Sequence, residues 1–156
     1  MQWILPDGSS TDISNYLSLI RHPAFTRLWH IRQLGAKHFS HPNLQADTIN
    51  VTQTRAGHSL DTIGYDMIAT EKLLSKGQIT KAEAEALHTA ALLHDIDQRP
   101  FSHELEELHD DKPHQAYERW KQTKPFDLNG TDEHTLKQLL AKKHPLSILN
   151  SHQGLG

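Results

Sequence analysis

Arg55 and His58 stand one helical turn apart, and His58 precedes the adjacent pair His94-Asp95 by 36 positions. The pair closes an apolar run, Ala91-Leu92-Leu93, that reads as the end of a buried helix. Two imidazoles and a carboxylate arriving from separate helices make a mixed nitrogen and oxygen ligand set for one divalent ion. Such a set favours Zn, Fe, Ni, Co or Mn over a purely hard ion, leaves room for water, and does not by itself decide among these and Mg. An aspartate at a helix C-terminus opposes the helix dipole, so a compensating cation is expected beside Asp95. Arg55 presents a forked guanidinium that matches phosphoryl oxygens as a lysine would not; the plainer reading is an ion pair with Asp61 or another acid. For His94 and Asp95 the plainer reading is a satisfied core histidine and a helix-end carboxylate.

The pattern that must position these groups is helical nearly throughout. A turn at Pro6-Asp7-Gly8 precedes a short helix from Asp12 to Ile20. Pro23 sits at a first helical position, where its missing N–H costs nothing, and Phe25, Leu28, Ile31 and Leu34 line one face before Gly35 stops the helix. Residues 36–54 read as a long polar loop with a brief alternation at Ile49 and Val51. A helix then carries His58, Ile63, Met67 and Leu74 to Gly77. Thr80 and Glu83 form a capping box that opens an alanine-rich helix on which Leu87, Ala90, Ala91 and His94 share a face. Pro100 starts a short helix through Leu108; Asp110 or Asp111 caps the next, with Pro113 in its first turn and Tyr117 and Trp120 facing inward. Thr131 or Asp132 starts a helix through Leu136, Leu139 and Leu140, and Pro145 to Asn150 adds a further turn or two. Lys121 to Asn129 is the connection expected to move most.

Three ordered blocks carry a family resemblance: Pro23 through Gly35, Thr54 through Leu60, and Ala91 through Ile96 continuing into Pro100-Phe101-Ser102-His103. From about Pro23 to about His114 the chain resembles the HD-domain phosphohydrolases, most closely their deoxynucleoside-triphosphate triphosphohydrolase (dGTPase-like) branch. The resemblance implies an all-α HD-domain helical bundle with His58, His94 and Asp95 as metal ligands. It implies a phosphate-facing role for Arg55 and contacts from Gln33 and Leu34 to the nucleoside part of a substrate. It also implies that His103 and His114 bind phosphate or pass a proton to the leaving oxygen, a task suited to imidazole because its pKa lies near neutrality. Where the family follows its His-Asp with a hydrophobic residue, glycine, histidine and glycine, this chain has Ile96-Asp97-Gln98-Arg99. Gln98 can hydrogen-bond but not shuttle a proton, Asp97 repels a triphosphate, and Arg99 supplies positive charge instead. The family's fourth ligand, an aspartate from a later helix, has no recognisable counterpart through Gly156. The expectation is a single HD domain over residues 1–156, or the N-terminal portion of a longer one, in either case lacking the C-terminal part of the family domain. Apolar faces left uncovered by that truncation invite a homo-oligomer.

Composition narrows the classes. A net charge of −3 argues against a general nucleic-acid coat. No apolar run approaches a membrane span, and the N-terminus lacks a basic region followed by a long apolar stretch, so a cytoplasmic protein is expected. The chain has no cysteine, which excludes disulfides and thiolate metal sites. The leading expectation is a metal-dependent phosphohydrolase that takes a nucleotide, either cleaving triphosphate from a deoxynucleoside triphosphate or acting on a related phosphoester. The alternative is a catalytically silent HD module that binds nucleotide or a partner protein.

Overall fold

An antiparallel hairpin, β1 (Gln2–Ile4) and β2 (Ser10–Asp12), opens the chain, with Trp3 opposite Thr11 and Ile4 opposite Ser10. Asp7 builds its turn: Oδ1 accepts from the Ser9 N–H at 2.9 Å and from the Ser9 hydroxyl at 2.6 Å. Gly8 adopts φ +85°, which a residue without Cβ takes up at little cost. The described residues otherwise form the expected all-α bundle, and this small hairpin is an element that the sequence reading did not foresee. Three-residue strands give alternation too short to register, and Asp12 lies in β2 instead of starting a helix. Asp12 Oδ1 accepts from the Ser14 N–H and hydroxyl, a local alternative to helix that delays α1 to Leu17–Ile20, after a 3₁₀ turn at Ser14–Tyr16.

The structure is a computed structural model that describes residues 1–32, 54–100 and 112–150. Helix α2 (Pro23–Thr26) starts at its proline as expected, with His22 Nδ1 accepting from the Ala24 N–H. It passes into a 3₁₀ turn at Arg27–His30, and Ile31 is extended, so the regular helix expected to reach Leu34 ends sooner. Leu34, Gly35 and most of the expected loop lie outside the described residues, as does the short helix expected from Pro100 to Leu108. Helix α3 (Arg55–Ser75) is capped by Thr54, whose hydroxyl accepts from the Gly57 N–H. Helix α4 (Lys81–Leu93) has the expected capping box, with Glu83 N–H donating to Thr80 Oγ1 and Thr80 N–H to Glu83 Oε2. Helix α5 (Pro113–Thr123) has Lys112 as its cap residue, which corrects the assignment to Asp110 or Asp111; the Lys112 N–H donates to Gln115 Oε1. Helix α6 (Glu133–Leu140) is capped by Asp132, which accepts from the Thr135 N–H, and a 3₁₀ helix at Pro145–Asn150 follows.

Helix α4 is the axis of the bundle. Nine of its residues are buried, among them Ala84, Ala86, Ala90 and Ala91, whose small side chains let neighbouring elements approach on every side. Ala91 and Leu92 join Ile13, Leu19, Phe25, Leu28, Leu60 and Ile63 in one core cluster. Leu87, Ala90 and Leu93 join Ile96, Tyr117, Leu136 and Leu139 in a second. Phe126 packs on both clusters and stacks on His22 (ring centroids 4.0 Å) and Tyr117 (4.9 Å). The connection expected to move most is therefore anchored, and the Lys124 carbonyl lies 3.0 Å from His22 Nε2. Among the described residues, no helix is long and apolar enough to cross a membrane.

The hairpin docks on α3 at two points. Trp3 Nε1 donates to Asp61 Oδ1 at 2.8 Å, and buried Leu5 rests on Gly64. A Cβ at residue 64 would lie 2.6 Å from Leu5 Cδ2 and 3.3 Å from Leu5 Cδ1. Gly64→Ala is expected to cost about 1–3 kcal/mol of overpacking, read as a lower urea midpoint. An unchanged midpoint would mean that the hairpin does not hold this seat in solution.

Candidate metal centre

The first turn of α3 and the end of α4 meet through an ion pair. Arg55 Nη1 lies 3.1 Å from Asp95 Oδ2, and the two side chains are only 3% and 5% exposed. This is the partner that sequence left open for Arg55: the guanidinium faces a carboxylate inside the protein. Backbone contacts fix both ends. The Arg55 N–H donates to the Ile31 carbonyl at 2.8 Å, and the Thr54 cap sets the start of α3. On the other side, Arg27 donates from its two terminal nitrogens to the carbonyls of Ile96 and Gln98, while its guanidinium sits 5.6 Å from the Trp120 ring centroid. Arg27 thus holds the turn that follows Asp95.

With that frame set, His58, His94 and Asp95 converge. One ligand atom from each lies within 4.8 Å of the others, the only such group of three among the described residues. The His58 and His94 rings are 5.3 Å apart and near perpendicular at 70°. His94 Nδ1 is 2.7 Å from the Ala91 carbonyl, so Nδ1 carries a hydrogen and Nε2 is the nitrogen turned toward the cluster. That Nε2 faces Asp95 Oδ1 at 3.5 Å. Ligands at about 2.1 Å from one ion lie roughly 3–3.5 Å from each other, so the cluster needs only a small contraction to close on a metal.

The electrostatics fit a cation. Burial pushes the Asp95 carboxyl upward, but His94, Arg55 and His58 outweigh it and hold the group below the usual carboxylate range. Asp97 behaves oppositely: burial, and then the charge of Asp95, raises it to about 6. A cavity of about 200 Å³ opens against His94 and Asp95, with Asp97, Gln98, Lys142 and Ser147 around it and Leu139 and Leu140 of α6 behind. Asp97 Oδ1, Gln98 Oε1 and Ser147 Oγ are buried there without a hydrogen-bond partner.

The structure brings together Arg55, His58, His94 and Asp95. His114 lines a different hollow with Glu118, His134 and Lys137, and its Nδ1 is buried without a partner. Gln33, Leu34 and His103 lie outside the described residues. Sequence reasoning missed the holding role of Arg27, and it missed Lys142 and Ser147 beside the cavity. Arg27 falls in the Pro23–Gly35 block, but nothing in its spacing names two backbone carbonyls as its targets.

No protein-family model matches the chain. An uncharacterized protein of Methanocaldococcus jannaschii is 34% identical over 90 residues, which is 58% of this chain and 17% of that protein. Deoxynucleoside triphosphate triphosphohydrolase SAMHD1 of Danio rerio is 32% identical over 109 residues, 67% of this chain and 16% of that protein. The crystal structure of a phosphohydrolase from Bacteroides thetaiotaomicron superposes with a TM-score of 0.70 at 28% identity, covering all of this chain and 38% of its own. The chain thus spans less than a fifth of each curated relative.

Removing Arg55 would leave the Asp95 charge buried with less compensation. Arg55→Ala is expected to lower the unfolding free energy of the metal-free chain by about 3–5 kcal/mol in urea titrations at pH 7. A loss below about 1 kcal/mol, within the range of an exposed pair, would contradict a buried ionised contact.

Proposed function

Because the chain is a relative of the HD-type phosphohydrolases in both fold and sequence, we propose that it is a metal-dependent phosphohydrolase acting on a nucleotide. The observation that carries this reading is the convergence of His58, His94 and Asp95 around a carboxylate held ionised inside the protein. Two imidazoles and one carboxylate fit a divalent ion among Mn, Fe, Ni, Co, Zn and Mg. When bound, such an ion supplies Lewis acidity to a phosphoryl oxygen and lowers the pKa of water.

In this proposal the residues divide the work. His94 offers Nε2 because Ala91 engages Nδ1, and Asp95 offers Oδ1 because Arg55 engages Oδ2. Arg55 keeps its ligand charged and brings positive charge next to the phosphate. The cavity beside His94 admits the phosphoester, with Lys142 at its edge drawing in anions. The family resemblance assigns His103 to protonate the departing oxygen and Gln33 and Leu34 to the nucleoside, whereas His114, which lines a different hollow, takes no part beside this cavity. The substrate is a deoxynucleoside triphosphate, released as nucleoside and triphosphate, or a related phosphoester; the likeness to the Danio rerio deoxynucleoside triphosphate triphosphohydrolase supports the former.

One observation favours a second reading, a module that binds nucleotide or a partner protein without turnover. The turn after Asp95 carries a buried Asp97 carboxyl and a Gln98 that cannot shuttle protons. Calorimetric titration with nucleotides beside a phosphate-release assay in added Mn separates the two. Binding with release supports the hydrolase, and binding alone supports the module.

His94→Ala is expected to reduce metal content from about one ion per chain to background and to abolish phosphate release, with helical circular dichroism unchanged. A variant that keeps both metal and hydrolysis would overturn the assignment.

A further inference from the structure

A second buried polar cluster lies about two turns along the same two helices from the metal centre. Asp66 of α3 is fully buried, and neither of its carboxylate oxygens has a hydrogen-bond partner. His88 of α4 stands beside it, Nε2 to Asp66 Oδ2 at 4.0 Å. We infer that Asp66 and His88 share one proton across the α3–α4 seam and act as positioning residues for the helices that bear His58, His94 and Asp95. Only the consequence for metal rests on the metal-centre reading; the proton count stands without it.

Burial and hydrogen-bond geometry together bear on where the proton sits. The Tyr16 hydroxyl donates to Glu85 Oε2 at 2.8 Å, so it must accept from its other neighbour, His88 Nδ1, at 2.9 Å. Nδ1 therefore carries a hydrogen. Nε2 lies 2.7 Å from the Thr70 hydroxyl, whose single hydrogen can face either that nitrogen or the Asp66 backbone carbonyl at 2.8 Å. The fully buried Asp66 carboxyl has no donor, a state in which an acid keeps its proton, and beside an uncharged Asp66 nothing within hydrogen-bond reach of Nε2 compensates a second proton on the buried His88 ring. The titratable groups around the seam agree. Burial raises Asp66 to about 7 and lowers His88, with Glu85 opposing the latter in part. Burial, then Glu85 and Asp66, raises the Tyr16 phenol, which stays a donor.

The consequence is a proton that changes place on folding. Between about pH 4 and 6.5 the unfolded chain has Asp66 ionised and His88 protonated. The folded chain has the reverse. Each state binds one proton on the pair, so the pair gives no pH slope in that window. Breaking the pair exposes each half. In Asp66→Asn the remaining histidine binds its proton only when unfolded, so stability falls as pH falls below about 6.5. In His88→Gln the remaining aspartate binds its proton only when folded, so stability falls as pH rises from about 4 to about 7. Each slope approaches a tenfold change in the folding constant per pH unit.

The test is urea unfolding of the 156-residue chain at intervals from pH 4.5 to 6.5, for wild type, Asp66→Asn, His88→Gln and the double variant. Relative to wild type, the single variants are expected to slope in opposite directions and the double variant to run parallel. Nitrogen-15 shifts of His88 in the native wild type, which do not depend on any variant folding, are expected to show a neutral Nδ1–H tautomer at pH 6. For the positioning role, Co²⁺ titration is expected to give equal affinity for wild type and Asp66→Asn at pH 6.5. At pH 8.5, where wild-type Asp66 has lost its proton, the variant is expected to bind about fivefold more tightly. An Asp66→Asn profile parallel to wild type, or an imidazolium at residue 88 at pH 6, would overturn the shared proton. A Co²⁺ affinity ratio that does not change with pH would overturn the positioning role.

Discussion

A carboxylate that is 4% exposed has to be compensated, and that requirement at Asp95 organises the molecule. Isolated in the interior, its charge would be strongly unfavourable. Arg55 answers from the first turn of α3, one turn before His58, so the ion pair also delivers the second imidazole to the first. The rest of the local structure maintains that meeting. Thr54 sets where α3 begins, the Ile31 carbonyl fixes the Arg55 backbone, and Arg27 ties down the carbonyls after Asp95. What looks like a ligand set is equally the joint between two helices.

The helix that carries His94 is also the helix on which both core clusters are built. Its alanines allow close approach of its neighbours, and His88 meets Thr70 of α3 along the seam between the two helices. Chemistry and packing therefore share one element. A change that alters the spacing between α3 and α4 alters the distance between the imidazoles, so core substitutions there act on the site without touching it.

Much of this was legible in the sequence. The Thr80–Glu83 box and Pro23 at a helix start were readable, and the start of α6 was narrowed to Thr131 or Asp132, because each rests on contacts within one turn of chain. The meeting of His58, His94 and Asp95 was readable mainly because the blocks around them resemble a known family, their spacing alone being a weak signal. The hairpin was not, since its strands are three residues long and their seat, Gly64 beneath Leu5, is a tertiary contact. The true partner of Arg55 was equally hidden: periodicity places a guanidinium on a face but does not say which acid lies opposite. The same holds for Asp66, which reads as an ordinary polar helix position until its burial is seen.

X-ray absorption at the metal edge, on the chain loaded with one equivalent of Co²⁺ or Zn²⁺, counts the imidazoles bound to the ion. Two imidazole rings together with oxygen scatterers at about 2.0–2.2 Å are the predicted shell. An ion with one ring or none, or surrounded by water oxygens alone, would show that His58 and His94 do not close on a common centre.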